Sequence, residues 1–483
     1  MNKQKSMVIN FIYNFLYTSL NIIFPLITLP YASRIIGVSG IGKVNFSNSI
    51  VNYFLIFASL GIPNYGIMAI AKLRDDTKKL SKTFSEIFFI NIISTWICVV
   101  TYYLMIFKIN YFHNNFCLFI ISGLLIILNT FNIDWLYNGL EEYRYITVRS
   151  IVFKILSLVL LFTTVRNESD YIFYALVNVV ALGGNNIINM INSRKIVKLK
   201  FKNLNLQKHL KSIIMLLSIQ IAVNIYINLD TTMLGVLAGN VSVGLYSNAI
   251  KINKIIVILL TSVSTILLPR LSYYVKQNNI SKFNATTNKA LKIIMLLSIP
   301  TMIGTFFLSD NIIKIMFGND FLPAIITMRI LSPLIVILSI GNLFGTQILM
   351  TMGEEKKLLI SVTVGAIVNF VLNYNIIPRM QQNGAALSSV IAEFIVMLIQ
   401  VILAIKYIKI EINYRFVLNI IISNIIMTIL LLIISYFIKS LLLNLILSVI
   451  IGGTIYVVTN ILLKEKIIID IVDEIIKKII VRK

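Results

Sequence analysis

The chain has 483 residues, 58% of them hydrophobic and only 13% charged, with a mean hydropathy of +0.89. A single water-soluble core cannot hide that much apolar surface, which excludes a soluble globular protein and leaves an integral membrane protein. A formal charge of +24 raises the question of nucleic acid, while two cysteines and two histidines exclude a disulfide framework and a His-based metal cluster or triad.

Apolar stretches of about 20 residues, enough for a helix to cross about 30 Å of hydrocarbon, recur along the whole chain. They predict fourteen spans, near 8–33, 44–70, 84–107, 115–137, 146–165, 171–192, 212–234, 244–269, 290–308, 324–349, 358–377, 384–405, 416–437 and 441–463. The fold class that follows is an all-α polytopic membrane protein. The first run is too long for a cleaved signal peptide and has no small-residue cleavage site, so it is expected to stay as a span.

On the first span Asn10, Asn14, Tyr17 and Asn21 share one helix face by their spacing of four, three and four. After it comes Gly37-Val-Ser-Gly-Ile-Gly42-Lys43, which fills seven places of a phosphate-binding P-loop. No strand precedes it and Val44 stands where a magnesium-binding Ser or Thr is needed, so no nucleotide is predicted. The second span carries Asn45, Asn48, Ser49 and Asn52 on one stripe. Asp75-Asp76, set among Lys72, Arg74, Lys78 and Lys79, reads as a solvated charged loop rather than a catalytic pair. Cys98 and Cys117 fall near the same end of the third and fourth spans, as two buried thiols or as a bridge. Lys154 is a cation inside the fifth span, and residues 193–211 form a basic linker.

The seventh span has Gln220, Asn224, Asn228, Asp230 and Thr231, and the eighth has Ser247, Lys251 and Lys254 at helical spacing. Lys251 and Lys254 lie roughly 10 and 15 Å into their span, where facing lipid costs each about 2.5–3.5 kcal/mol. Either a hydrated cavity holding an anion or a structural pairing with a carboxylate such as Asp230 is needed. Polar stripes on spans one, two, seven and eight predict a shared wet cleft, with interhelical hydrogen-bonding glue as the plainer alternative. Arg329 lies in the tenth span and Glu393 in the twelfth. The longest loop on the outer side, Ser309 to Pro323, is too short for a catalytic domain. From Lys464 onward, Ile468, Ile471, Val472, Ile475, Ile476 and Ile479 share one face of an amphipathic helix expected on the inner leaflet or on a partner.

With the amino terminus cytoplasmic, 32 of the 43 Lys and Arg residues fall on the inner side, Arg149 and the linker among them, and only seven outside. The positive-inside rule therefore accounts for the charge without nucleic acid and predicts both termini in the cytoplasm. FSNSI at 46–50 matches YSNAI at 246–250, and Gly139 to Arg144 matches Gly353 to Lys357, both six helices apart. A shared even offset predicts two lobes as parallel repeats. The divisions expected are an N-lobe 1–192, a linker 193–211, a C-lobe 212–405, two further spans within 406–463 and a tail 464–483.

The run Pro25-Leu-Ile-Thr-Leu-Pro30-Tyr-Ala-Ser-Arg34-Ile-Ile-Gly37, with Gly40, Gly42 and Asn45 to Ile50, resembles the opening signature of Wzx-type oligosaccharide flippases. So do Gly61-Ile-Pro-Asn-Tyr-Gly66 with Arg74-Asp-Asp, and Asp134-Trp-Leu-Tyr-Asn-Gly139 with Glu141-Glu142. On this resemblance Gly37 to Lys43 is the outer turn joining the first two spans. It implies the MATE-like superfamily fold, a V-shaped pair of lobes that moves a lipid-linked sugar repeat unit, usually on undecaprenyl pyrophosphate, to the outer leaflet of the bacterial inner membrane. The cationic cleft is then expected to use Arg34, Lys154, Lys251 and Lys254 on pyrophosphate or acidic sugars. Asn14, Asn21, Asn48, Asn52, Asn224 and Asn228 are expected on sugar hydroxyls. The implied partners are the polyprenyl-pyrophosphate-linked oligosaccharide, membrane lipids, a polysaccharide polymerase and chain-length proteins. No enzymatic activity, cofactor, metal, nucleotide or nucleic acid is expected. A proton or sodium gradient is the implied energy source, with Asp230 and Glu393 as coupling candidates. A MATE-type multidrug exporter and a membrane-embedded polymerase or transferase are the alternatives.

Overall fold

The computed structural model describes residues 7–265, 267–411, 413–470 and 473; the side chains of 7–11, 14, 218–219, 222–227 and 263–265 lie outside that description. All of its regular structure is helical. Eleven of the described helices are long and apolar enough to cross a membrane. Large apolar side chains such as Phe15, Ile97, Val152, Leu182 and Leu432 stay exposed on these helices, which suits a lipid solvent and not water. By internal contacts the chain divides into two compact units, Met1–Gly244 and Leu245–Lys483.

In the first unit α1 (Met7–Ser59) is followed by α2 (Ile62–Ala71), α3 (Thr77–Lys108), α4 (Phe116–Leu128), α5 (Asp134–Gly139), α6 (Tyr143–Thr164), α7 (Tyr171–Ser193) and α8 (Gln207–Leu237). α1 packs on α3, α6 and α8, α4 and α6 pack on α7, and α2 fits against α5. α8 groups with this unit because it lies along α1 and α2. The second unit comprises α9 (Gly239–Thr265), which begins six residues earlier in the first unit, then α10 (Leu268–Lys276), α11 (Ile280–Phe317), α12 (Ala324–Leu331) and α13 (Leu334–Asn342). α14 (Glu355–Ala404), α15 (Tyr414–Phe437) and α16 (Leu441–Leu462) complete it, with α11 against α13, α15 and α16.

The expected outer turn is much tighter than sequence implied. Only Gly37 leaves the helix, at φ 66 and ψ −178, a left-handed conformation that glycine reaches at little steric cost. Gly42 stays helical and serves packing instead: a Cβ there would lie 1.7 Å from the Asn240 carbonyl oxygen. α14 is divided in the same way at Gln381, φ 48, three residues after Pro378. The expected second span breaks at Leu60, φ 50, where α2 begins. The fourth breaks at Asn129–Ile133, where Trp135 donates its ring N–H to the Asn132 carbonyl at 3.2 Å. The tenth is three pieces, with Pro333 starting α13 and a π-helical turn at Leu343–Leu349 following it. The loop expected over Ser309 to Pro323 is mostly helix, since α11 runs on to Phe317 and Gly318, φ 88, ends it.

Local contacts correct several further expectations. Both cysteines are free, Cys98 buried and Cys117 exposed, so no bridge forms and only one thiol is buried. The 193–211 segment is pinned to α3: the Lys198 and Lys200 amides donate to Ser81 and Ser85, and Asn205 donates its amide to Glu86. Asp76 caps α3, accepting the Lys79 amide at 3.0 Å. In the tail Ile468 is buried with Phe416, Ile420 and Tyr456 instead of facing a bilayer surface. The remaining tail positions Ile471, Val472, Ile475, Ile476 and Ile479 lie outside the described residues.

Candidate functional site

The polar stripes of the first unit meet where α1 runs beside α6 and α8. Below the Gly37 break, Asn21 is exposed and accepts a hydrogen bond from the Lys154 ammonium of α6 at 2.6 Å. Lys154 also sits over the Phe24 ring, 5.7 Å from its centre. It lies roughly 17 Å along α6 at 1.5 Å per residue, deep in the span, and it forms no ion pair among the described residues. Polar groups cannot face hydrocarbon cheaply, so a half-exposed ammonium and an exposed amide at this depth mark a hydrated surface.

Above the break, Asn52 of α1 donates to Asn228 of α8 at 3.3 Å. One turn on, the Thr232 hydroxyl bonds Ser49 at 3.1 Å and the Tyr53 hydroxyl at 3.2 Å. Ser49 is buried and returns its own proton to the Phe46 carbonyl. Asp230 is buried and close enough to bear electrostatically on Tyr53. This part of the stripe knits two helices together, as the plainer reading required, whereas Asn52 remains exposed.

The other expected residues fall as follows. Asn48 is half-buried and Arg34 exposed, both on α1. The side chains of Asn14 and Asn224 lie outside the described residues. Lys251, half-buried, and Lys254, exposed, lie on one face of α9, and their like charges repel. Glu393 is half-buried on α14. Lys251, Lys254 and Glu393 belong to the second unit. Arg329 is held by Ser309 at 3.0 Å and lies over the Phe306 ring, a local structural role.

Two buried polar networks escaped sequence reading. Arg149, assigned to a basic loop, is a buried part of α6: it pairs with Asp134 at 3.1 Å, donates to Asn189 and lies over the Tyr145 ring. Tyr137, stacked on Tyr145, donates to the Asn189 carbonyl at 2.7 Å. His209 is not an isolated linker residue but meets the Glu86 carboxylate at 2.8 Å and the Tyr65 hydroxyl at 2.6 Å, with the His209 and Glu86 side chains almost fully buried. The available signal was that Asp134 and Arg149 fall within expected spans; nothing local announced the His209 partner, which is over a hundred residues away.

A family described as polysaccharide biosynthesis protein matches residues 7–275, more than half of the chain, and the MatE family matches residues 216–375. A putative O-antigen transporter of Escherichia coli K12 is 23% identical over 82% of this chain and 96% of its own length. A probable low-salt glycan biosynthesis flippase of Haloferax volcanii is 23% identical over 34% of each chain. Among solved structures, the lipid II flippase MurJ in an inward closed conformation superposes with a TM-score of 0.76 at 17% identity, covering 93% of this chain and 98% of that one. An inward-facing multidrug resistance MATE transporter gives 0.64 at 12% identity, covering 79% and 93%. These likenesses establish the fold, that of MurJ and the MATE transporters, and the relatives are transporters and flippases rather than enzymes. A multi-pass helical chain with this signature belongs to the polysaccharide biosynthesis protein family.

Proposed function

We propose that the chain is a flippase for a lipid-linked glycan, moving undecaprenyl-pyrophosphate-linked oligosaccharide repeat units from the cytoplasmic to the outer leaflet by alternating access. The observation that carries the reading is Lys154: a mid-span ammonium held by one neutral amide, on a face that must be wet. A pyrophosphate supplies the missing negative charge, and exposed amides such as Asn21 and Asn52 suit sugar hydroxyls because each both donates and accepts. Within the first unit Arg34 is a further cation and Asn48 and Asn228 are further amides for this role, and Lys251 and Lys254 are the cations expected from the second unit. Movement breaks no covalent bond; the polar head is sheltered by protein and water while the polyprenyl tail stays in lipid.

The driving force in this reading is a proton or sodium gradient acting through Asp230 or Glu393, since a membrane potential supplies about 2.3 kcal/mol per charge per 100 mV. The charge distribution supports both termini in the cytoplasm, and the resemblance supports a bacterial inner membrane location with a polysaccharide polymerase and chain-length proteins as partners. The expected divisions, lobes 1–192 and 212–405 around the linker with 406–463 and the tail appended, are part of this proposal, whereas by internal contacts α8 groups with the first unit.

The test is flipping of a fluorescent polyprenyl-pyrophosphate glycan in proteoliposomes. Lys154→Ala is expected to lower the rate at least tenfold and Lys154→Arg to restore much of it; equal rates for all three forms would overturn the reading. The MatE match favours a second reading, a multidrug exporter. It predicts gradient-driven efflux of a cationic dye and no glycan flipping, whereas an exporter of cations is served by an acidic cavity, not a cationic one.

A further inference from the structure

The Gly42-Lys43 end of the P-loop-like motif is not consumed by the turn at Gly37. Because Gly42 has no side chain, the start of α9 presses against α1, and this brings Asn240 beside Lys43. Together with Asn114 and Asn115, from the 3-10 turn before α4, these residues line a polar cavity of about 110 Å³ inside the first unit. Its remaining wall is Leu118 and three aromatic rings: Phe46 meets Phe119 edge-on at 6.2 Å and Tyr111 at 6.0 Å, and Tyr111 is fixed by donating to the Gly235 carbonyl at 2.9 Å. No hydrogen bond joins the side-chain amides of Asn114, Asn115 or Asn240 to another described residue. The Lys43 ammonium rests over the Tyr171 ring at 4.5 Å, with no carboxylate paired to it among the described residues.

We propose that this cavity is an exit-side subsite for one sugar ring of the glycan. The inference rests on the proposed function, in which this end of α1 faces outward. A pyranose has an apolar C–H face and a rim of hydroxyls. Aromatic edges with three uncommitted amides complement both, since each amide can donate and accept. A water takes about 30 Å³ of liquid, so a cavity of about 110 Å³ admits at most one ring and not a chain. Lys43 is one of few cations at this end and biases the site toward a ring bearing a carboxylate. Since Asn240 reaches the cavity only through the contact at Gly42, an occupied subsite also favours the arrangement in which α1 and the start of α9 touch.

The test uses the full chain in lipid nanodiscs and ligand-observed saturation-transfer NMR with a free neutral hexose, an N-acetylhexosamine and a hexuronate. At least one sugar is expected to give a saturable signal whose apparent Kd rises tenfold or more in Asn115→Ala and in Asn240→Ala, with Lys43→Gln weakening the hexuronate alone. No saturable sugar, or a signal these variants leave unchanged, overturns the proposal. Should a variant fold poorly, a second measurement stands in: Asn114→Cys in a Cys117→Ser background is labelled with an impermeant maleimide. A binding sugar is expected to slow that labelling, and unaltered labelling with every sugar overturns the proposal. Glycan flipping run in parallel separates the two ideas, because flipping without sugar binding removes only the subsite, and sugar binding without flipping removes the flippase reading.

Discussion

Lys154 and Arg149 sit five residues apart on α6, and their surroundings differ in kind. Arg149 is buried among Asp134, Asn189 and the Tyr145 ring, so its charge is neutralised by the protein itself. Lys154 has an amide and a ring face but no carboxylate within pairing distance among the described residues. A compensated buried cation holds helices together; an uncompensated one on a wet face is left to attract something from outside. Depth alone does not separate the two roles, and the sequence, which showed both as basic residues, could not either.

The largest expected effect comes from breaking that contrast directly. Arg149→Ala strands the Asp134 carboxylate and is expected to cost on the order of 3 kcal/mol, read as a fall in thermal unfolding temperature in detergent. Lys154→Ala is expected to change stability by less than about 1 kcal/mol, as for a group making one partly exposed hydrogen bond, while transport is lost. Reversed outcomes, with Lys154 needed for folding and Arg149 only for transport, would break the comparison.

Gly42→Ala comes next. Its new methyl would collide with the Asn240 carbonyl, an overpacking expected to cost about 1–3 kcal/mol, whereas Gly304→Ala on α11 meets nothing within 4 Å and serves as the neutral control. Equal unfolding temperatures for the two variants would mean that the α1–α9 contact is not tightly held.

His209→Gln extends the comparison to the second compensated network. Losing a charge-assisted bond to Glu86 is expected to cost about 1.5–3 kcal/mol, with transport per folded molecule unaltered; a selective loss of transport would move His209 to the functional class. The smallest effect concerns pH. The Lys79 amide, and then its ammonium, hold the Asp76 carboxyl below its ordinary value. A depressed carboxyl stabilises the folded form above the unfolded value of about 4 and ceases to do so as pH falls through its folded value. Hydrogen-exchange protection in the first turn of α3, taken relative to the intrinsic exchange rate at each pH, is therefore expected to fall on acidification and to lose that pH dependence in Asp76→Asn.

The membrane class, the helical content and most helix positions were legible in the sequence, because spanning a hydrocarbon slab needs a long apolar run whatever its neighbours are. The motif carrying Gly37 pointed to a turn and the gap between the expected eleventh and twelfth spans contains the break at Gln381, whereas the breaks at Leu60 and Asn129 fall inside expected spans and did not show. Side-chain periodicity grouped Asn45, Asn48, Ser49 and Asn52 on one face without revealing that Ser49 is committed to Thr232 while Asn52 stays exposed. Amino-acid order by itself determined that this chain lives in a bilayer and where cations enter its spans, as transfer free energy depends on composition and length. Only the tertiary structure decided which of those cations, amides and glycines are spent on neighbours and which remain available, because pairing depends on distances between segments that lie far apart along the chain.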